Sequence, residues 1–246
     1  MSQNSFRRGW VKSSADFLVI LALITVAKVA VAEPYYVPSG SMEPTLLIGD
    51  ELIATKYPYG YSSASLPATL VLPQTKRLFG ALPKRGDIVV FRWPGDRSQV
   101  WVKRVIGLPG DRIELRDGRV FIDGAELALR PDGQGMTDGV VARRLIETLP
   151  GGREHPIFKT SAGTMFDNMG PVRVPAGHVF VMGDNRDHSA DSRVPLDMGG
   201  VGMLPVANLI GRVDALAGSW NPDVMDRPVW TWADGFRLSR FFTAVR

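Results

Sequence analysis

The sequence predicts a mostly antiparallel β fold preceded by one N-terminal transmembrane helix. Three observations carry that expectation. Short β-prone runs alternate with turn clusters along most of the chain. Gly 26 and Pro 18 among 246 residues are many for a helical protein and suit strands joined by tight turns. A single long apolar segment stands near the N-terminus. At 45% hydrophobic, the chain can bury one sizeable core, with room for a smaller subdomain.

That apolar segment runs from Phe17 to Ala32, interrupted by Thr25 and Lys28 and preceded by Arg7, Arg8 and Lys12. A basic start and an Ala30-Val31-Ala32 ending resemble a cleavable leader. Lys28 breaks the apolar core just before that ending, whereas near the end of a retained helix it can snorkel to the interface. Tyr35 and Tyr36 then fall where an aromatic belt is expected. The anchor reading is preferred: residues 1–15 cytoplasmic, 16–33 spanning, and the chain from about 34 onward across the membrane.

Leu46 to Thr55 reads as strand material around a Gly49-Asp50 turn, and 57–80 as an irregular loop. Lys84 to Asp87 is a turn that launches the β-prone run Ile88 to Phe91, ended by Pro94-Gly95-Asp96. Val100 to Ile106 is the next strand, closed by Gly107 to Asp111. Arg112 to Leu115 and Val120 to Ile122 flank Asp117-Gly118 and form a hairpin. Residues 125–170 read as an inserted β subdomain, in which Val140–Thr148 pairs with Pro156–Thr160. The catalytic body is then 34–124 with 171–246. Val179 to Met182 is a buried strand that leads into Gly183 to Arg193, and Asn208 to Val213 is the last core strand.

Composition excludes several function classes. There is no cysteine, so neither disulfides nor thiolate chemistry is available. The net charge is +4 with scattered Lys and Arg, not the clustered basic face of a nucleic-acid binder. His155, His178 and His188 lack metal-site spacing, so no metal and no cofactor are expected.

Candidate chemistry lies in three places. In Pro38-Ser39-Gly40-Ser41-Met42, glycine permits close backbone approach and Pro38 and Pro44 stiffen the flanks, although such clusters also make ordinary loops. Lys103 sits mid-strand, where it is either an edge lysine or a buried amine with a lowered pKa. The polar run Gly183 to Arg193 follows a buried strand and must satisfy many donors and acceptors. His188 beside Ser189 invites a Ser-His-Asp reading, set aside because no G-x-S-x-G elbow exists.

These same stretches resemble the boxes of type I signal peptidases. Pro38 to Leu46 resembles the nucleophile box, Arg85 to Phe91 the next, Lys103 to Asp111 the lysine box and Gly183 to Arg193 the last. All four stand in the family order behind an apolar segment. The resemblance implies a membrane-bound serine endopeptidase of the bacterial inner membrane, with the antiparallel catalytic fold of that family facing the extracytoplasmic side. It implies Ser41 as nucleophile and Lys103 as general base. The Ser41 N–H and the Ser39 hydroxyl would form the oxyanion hole. Ser189 would hold the Lys103 amine, and Asp191 and Arg193 would brace the loop. Val37, Pro38, Leu52, Val90 and Val102 would line pockets for small side chains at substrate positions −1 and −3. Its partners would be signal-peptide-bearing preproteins and the lipid bilayer, close to the export translocon. Rival readings are a pilin-processing peptidase of conjugation, a self-cleaving repressor, and a membrane-anchored β module that binds without cutting.

Overall fold

A computed structural model of the chain describes residues 16–20, 31–66, 72–160 and 164–245. The expected cytoplasmic stretch 1–15 and the middle of the expected anchor lie outside these residues. Residues 16–20 are helical and exposed. No helix among the described residues is long and apolar enough to cross a membrane. The expected end of the anchor shifts, because Ala32 and Glu33 belong to the first strand. Glu33 is held there by the ammonium of buried Lys56 at 2.9 Å and by the Tyr35 hydroxyl at 2.7 Å.

The strands run β1 Ala32–Tyr36, β2 Asp50–Thr55, β3 Ile88–Arg92, β4 Val100–Gly107, β5 Arg112–Arg116, β6 Arg119–Ile122 and β7 Ala125–Glu126. They continue with β8 Ala128–Thr137, β9 Val140–Thr148, β10 Glu154–Lys159, β11 Met169–Arg173, β12 His178–Met182, β13 Leu204–Pro205 and β14 Leu209–Ser219. Three antiparallel sheets result. The largest has the order β1-β2-β14-β3-β4-β12-β13, beside a three-stranded β10-β9-β8 and a four-stranded β11-β5-β6-β7. The fold is mostly β and antiparallel, as the sequence predicts.

β3 shows why its sequence is an unbroken apolar run and does not alternate. Ile88 and Val90 face one core with Val37, Met42 and Leu52, while Val89 and Phe91 face another with Val105, Val179 and Val181. A strand buried on both faces needs apolar residues at every position. The β5–β6 hairpin turns at Asp117 and Gly118, both at positive φ (49° and 74°), the geometry that matches the twist of the strands it joins.

Several elements depart from the sequence expectation. Leu46 to Gly49 form the turn into β2, which begins at Asp50. β14 runs on to Ser219 through two bulges against β2, and Asn208 lies before it in a 3-10 turn. β9 pairs with β10 as expected, with Thr148 opposite Glu154. β8 was hidden because Pro131, Gly133 and Gly135 resemble loop residues; a register shift between Pro131 and Gln134 accommodates them. β7 and β11 join the four-stranded sheet, so only the stretch from β8 to β10 makes a separate sheet. The stretch 57–80 has two 3-10 turns among its described residues. Arg77 pins it by donating to the carbonyls of Tyr59, Val206 and Leu209.

Candidate active site

The Ser41 turn hangs between two anchors. Met42 and Leu46 are fully buried in the core, and Gly40–Met42 forms a single 3-10 turn after extended Ser39. Asn185 ties the turn down from behind. Its amide donates to the Gly40 carbonyl at 3.0 Å and to Thr137 Oγ1 at 2.8 Å, while its backbone N–H donates to the Ser41 carbonyl at 3.1 Å. Gly183 packs against the same carbonyl. A Cβ there would stand 2.4 Å from Ser41 O and 2.3 Å from Ser189 Oγ, so only glycine fits.

Lys103 reaches this turn from β4. Its Nζ donates to Ser41 Oγ at 2.8 Å and to the Val102 carbonyl at 3.0 Å, and lies 5.6 Å from the Trp101 ring centroid. The residue is buried, and burial pulls its pKa from 10.5 down to about 8. Asp191 and Asp184 act in the opposite sense but do not restore it. Among the described residues, Lys103 has no carboxylate within ion-pair distance. An amine in this state is an efficient proton acceptor near neutral pH.

Around this pair stands a buried ionic frame. Arg104, next to the lysine, makes a two-pronged contact with Asp184 at 2.8 and 2.7 Å and donates to the Gly86 carbonyl at 2.9 Å. Thr45 donates to the same carboxylate at 2.5 Å. The frame thus ties β4, the loop after β12 and the segment following Ser41 into one body. Asp191 accepts from the Gly183 N–H at 2.9 Å and from Arg193 at 2.9 and 2.8 Å. Burial pushes both carboxyls up, but the guanidiniums and the hydrogen bonds outweigh it and each ends below its ordinary range. Arg186 similarly grips Glu147 of β9 at 2.7 and 2.5 Å, joining the three-stranded sheet to the loop.

The expected site residues meet in part. Ser39 Oγ stands 3.5 Å from Ser41 Oγ. Pro38, Leu52, Val90 and Val102 line a cleft of about 760 Å³ together with Ser39, Ser41 and Lys103. Val37 does not line it: its backbone pairs with Asp50 and Gly49, which turns the side chain into the core. Ser189 lies against Gly183, but its buried hydroxyl has no hydrogen-bond partner, and Lys103 uses the Val102 carbonyl instead. The expected Ser189–Lys103 contact is therefore not made here. Asp191 and Arg193 are buried, pair with each other at 2.8 Å and do not line the cleft. His188 pairs with Asp138 at 2.7 Å, whereas the Ser41 hydroxyl is bonded by Lys103. Sequence reasoning missed Thr45, Arg104, Asp184, Asn185 and Gly183. All five lie within the quoted boxes, yet nothing in their order tells which contact each makes.

A family model described as signal peptidase, peptidase S26, matches residues 7–217. Signal peptidase I of Rickettsia typhi is 38% identical over 245 residues, covering 93% of this chain and 91% of that protein. The Rickettsia prowazekii enzyme of the same name is 37% identical over 244 residues, covering 92% and 90%. A solved signal peptidase I from Enterococcus faecalis V583 is 28% identical and covers 54% of this chain and 97% of that one. Its TM-score of 0.33 is too low to bear on the fold. On the family match and the relatives' identity, the chain belongs to the signal peptidase family, peptidase S26.

Proposed function

We propose that this signal peptidase removes N-terminal signal peptides from exported preproteins, with Ser41 as nucleophile and Lys103 as general base. The observation that carries the reading is a buried amine 2.8 Å from a serine hydroxyl with burial holding its pKa near 8. A serine hydroxyl is a weak nucleophile until an adjacent base takes its proton, and Ser–Lys pairs are a known variant of that logic.

Neutral Lys103 accepts the Ser41 Oγ proton as the oxygen attacks the scissile carbonyl. The oxyanion that develops is met by the Ser41 N–H and the Ser39 hydroxyl, donors of a kind typically worth about 100- to 1,000-fold in rate. As the intermediate collapses, the carbon–nitrogen bond breaks and the Lys103 ammonium returns the proton to the departing amine. Lys103 then takes a proton from water as it attacks the acyl-enzyme, and returns it to Ser41 Oγ as the acyl–oxygen bond breaks, which restores both residues. Pro38, Leu52, Val90 and Val102 give small side chains at −1 and −3 an apolar seat. Asp191 and Arg193 act as positioning residues under the loop. We place the anchor in the bacterial inner membrane from about residue 16 to just before β1, which begins at Ala32; it holds the site near the bilayer on the extracytoplasmic side where precursors emerge.

The test is cleavage of a precursor carrying an Ala-x-Ala site by the detergent-purified full chain. Wild type should cut. Ser41→Ala and Lys103→Ala should each fall by about 10,000-fold or more, as loss of a catalytic serine or its base does elsewhere. Undiminished cleavage by either variant contradicts the dyad, and a wild type that binds precursor without cutting it contradicts the enzymatic reading.

A further inference from the structure

The cleft has two chemically unlike sides. The seven-stranded sheet supplies the apolar one, through Leu52, Val90 and Val102. The other is supplied by the β8–β9 turn and the loop after β12, through Asp138, His188 and Ala190. Nothing in the mechanism above uses that second side.

It is nevertheless built with care. Asp138 and Gly139 take positive φ (48° and 74°) in a two-residue turn, which fixes the tip of the β8–β9 hairpin. Thr137, just before the tip, is buried and accepts from the Asn185 amide that also holds the Gly40 carbonyl. The tip is thereby linked through one side chain to the nucleophile's own turn. At the tip, His188 Nδ1 meets Asp138 Oδ2 at 2.7 Å across 50 residues of sequence. Asp138 remains 56% exposed and His188 32% exposed, so the pair still offers polar atoms to a third group.

We infer that Asp138 and His188 form the subsite for the first residue after the scissile bond and disfavour an acidic side chain there. The inference rests on Ser41 being the nucleophile. A substrate strand that seats its −1 and −3 side chains on the apolar side and crosses Ser41 must send its departing half past the other side. There a carboxylate faces the departing residue. It attracts a basic side chain and repels an acidic one, while small Ala190 leaves room for either.

Three peptides test this, identical except for Gln, Lys or Glu immediately after the cut. Exposed charge pairs are typically worth up to about fivefold each. The wild-type ratio of kcat/KM for the Lys peptide over the Glu peptide should therefore exceed one, reaching at most roughly 25. The ratio should fall toward one in Asp138→Asn and below one in Asp138→Lys. Because each ratio is taken within one variant, a change in overall activity cancels. Asp132→Lys, exposed on β8 and outside the cleft, should leave the ratio as in wild type. A wild-type ratio of one, or a ratio unmoved in Asp138→Lys, overturns the subsite while the dyad stands. A shift in Asp132→Lys equal to that in Asp138→Lys also overturns it, by making the effect one of overall charge. A wild type that cuts none of the three peptides overturns the dyad, and the subsite with it.

Discussion

Lys159 of β10 and Lys103 of β4 are both buried strand lysines, and their surroundings differ in kind. The Lys159 amine lies between two carboxylates, 2.6 Å from Asp167 and 2.7 Å from Asp187. The Lys103 amine has a serine hydroxyl and a peptide carbonyl for partners, while the nearby carboxylates are engaged by arginines. Burial disfavours an ammonium that lacks a countercharge. Lys159 is held in two ion pairs, and at Lys103 the penalty remains as a lowered pKa. The difference separates a staple from the proposed base. A buried lysine becomes chemically useful when its neighbours' charges are already spoken for.

Stability breaks the comparison most sharply. Lys159→Met removes the ammonium from between Asp167 and Asp187 and should cost about 3–5 kcal/mol. Lys103→Met should act in the opposite direction. Below pH about 8 Lys103 is protonated in both folded and unfolded chains, and the folded state bears the burial penalty. That penalty is relieved as pH rises from about 8 to 10.5 and is absent above. Lys103→Met should therefore gain roughly 3 kcal/mol at neutral pH, a gain that vanishes in strong alkali. Urea midpoints of the two variants against wild type check both signs. A loss in Lys103→Met would mean that the site stabilises its ammonium.

A smaller effect sharpens what holds the proposed base and nucleophile together. Gly183→Ala places a methyl against the Ser41 carbonyl and Ser189. The fold should tolerate the overpacking at about 1–3 kcal/mol. The displaced nucleophile should cost about 100-fold in kcat, since a shift near 1 Å is worth that much. Single-turnover cleavage separates this loss from any change in binding. Unchanged kcat would show that the loop does not set the position of Ser41.

How far the sequence could reach follows from these same residues. The strands around Val89, Val105 and Val181 were legible because two-sided burial writes an apolar run, and the β5–β6 turn because Asp117-Gly118 suits its backbone. The four boxes exposed Ser41 and Lys103 as partners although 62 residues separate them. β8 stayed hidden, since its exposed face carries Pro131 and Gly133 without a period. Val37 was misassigned because one residue decides whether a side chain points into a cleft or a core. Ser189 was given the lysine's amine, whereas the Val102 carbonyl takes it. Sequence order names the polar residues of a loop but not which hydrogen bonds they choose. Arg104 and Asp184 illustrate the same limit: they lie in two different boxes, and only packing makes them partners.

The central claim is that Lys103 works as a neutral base, and the pH dependence of kcat/KM tests it most directly. The neutral fraction of an amine rises about tenfold per pH unit below its pKa. With the Lys103 pKa near 8, cleavage of an Ala-x-Ala precursor should climb steeply from about pH 6 and level off above about pH 8. A rate that stays flat from about pH 6 to 9 would contradict the account, because the amine bonded to Ser41 would then not be the group that accepts its proton.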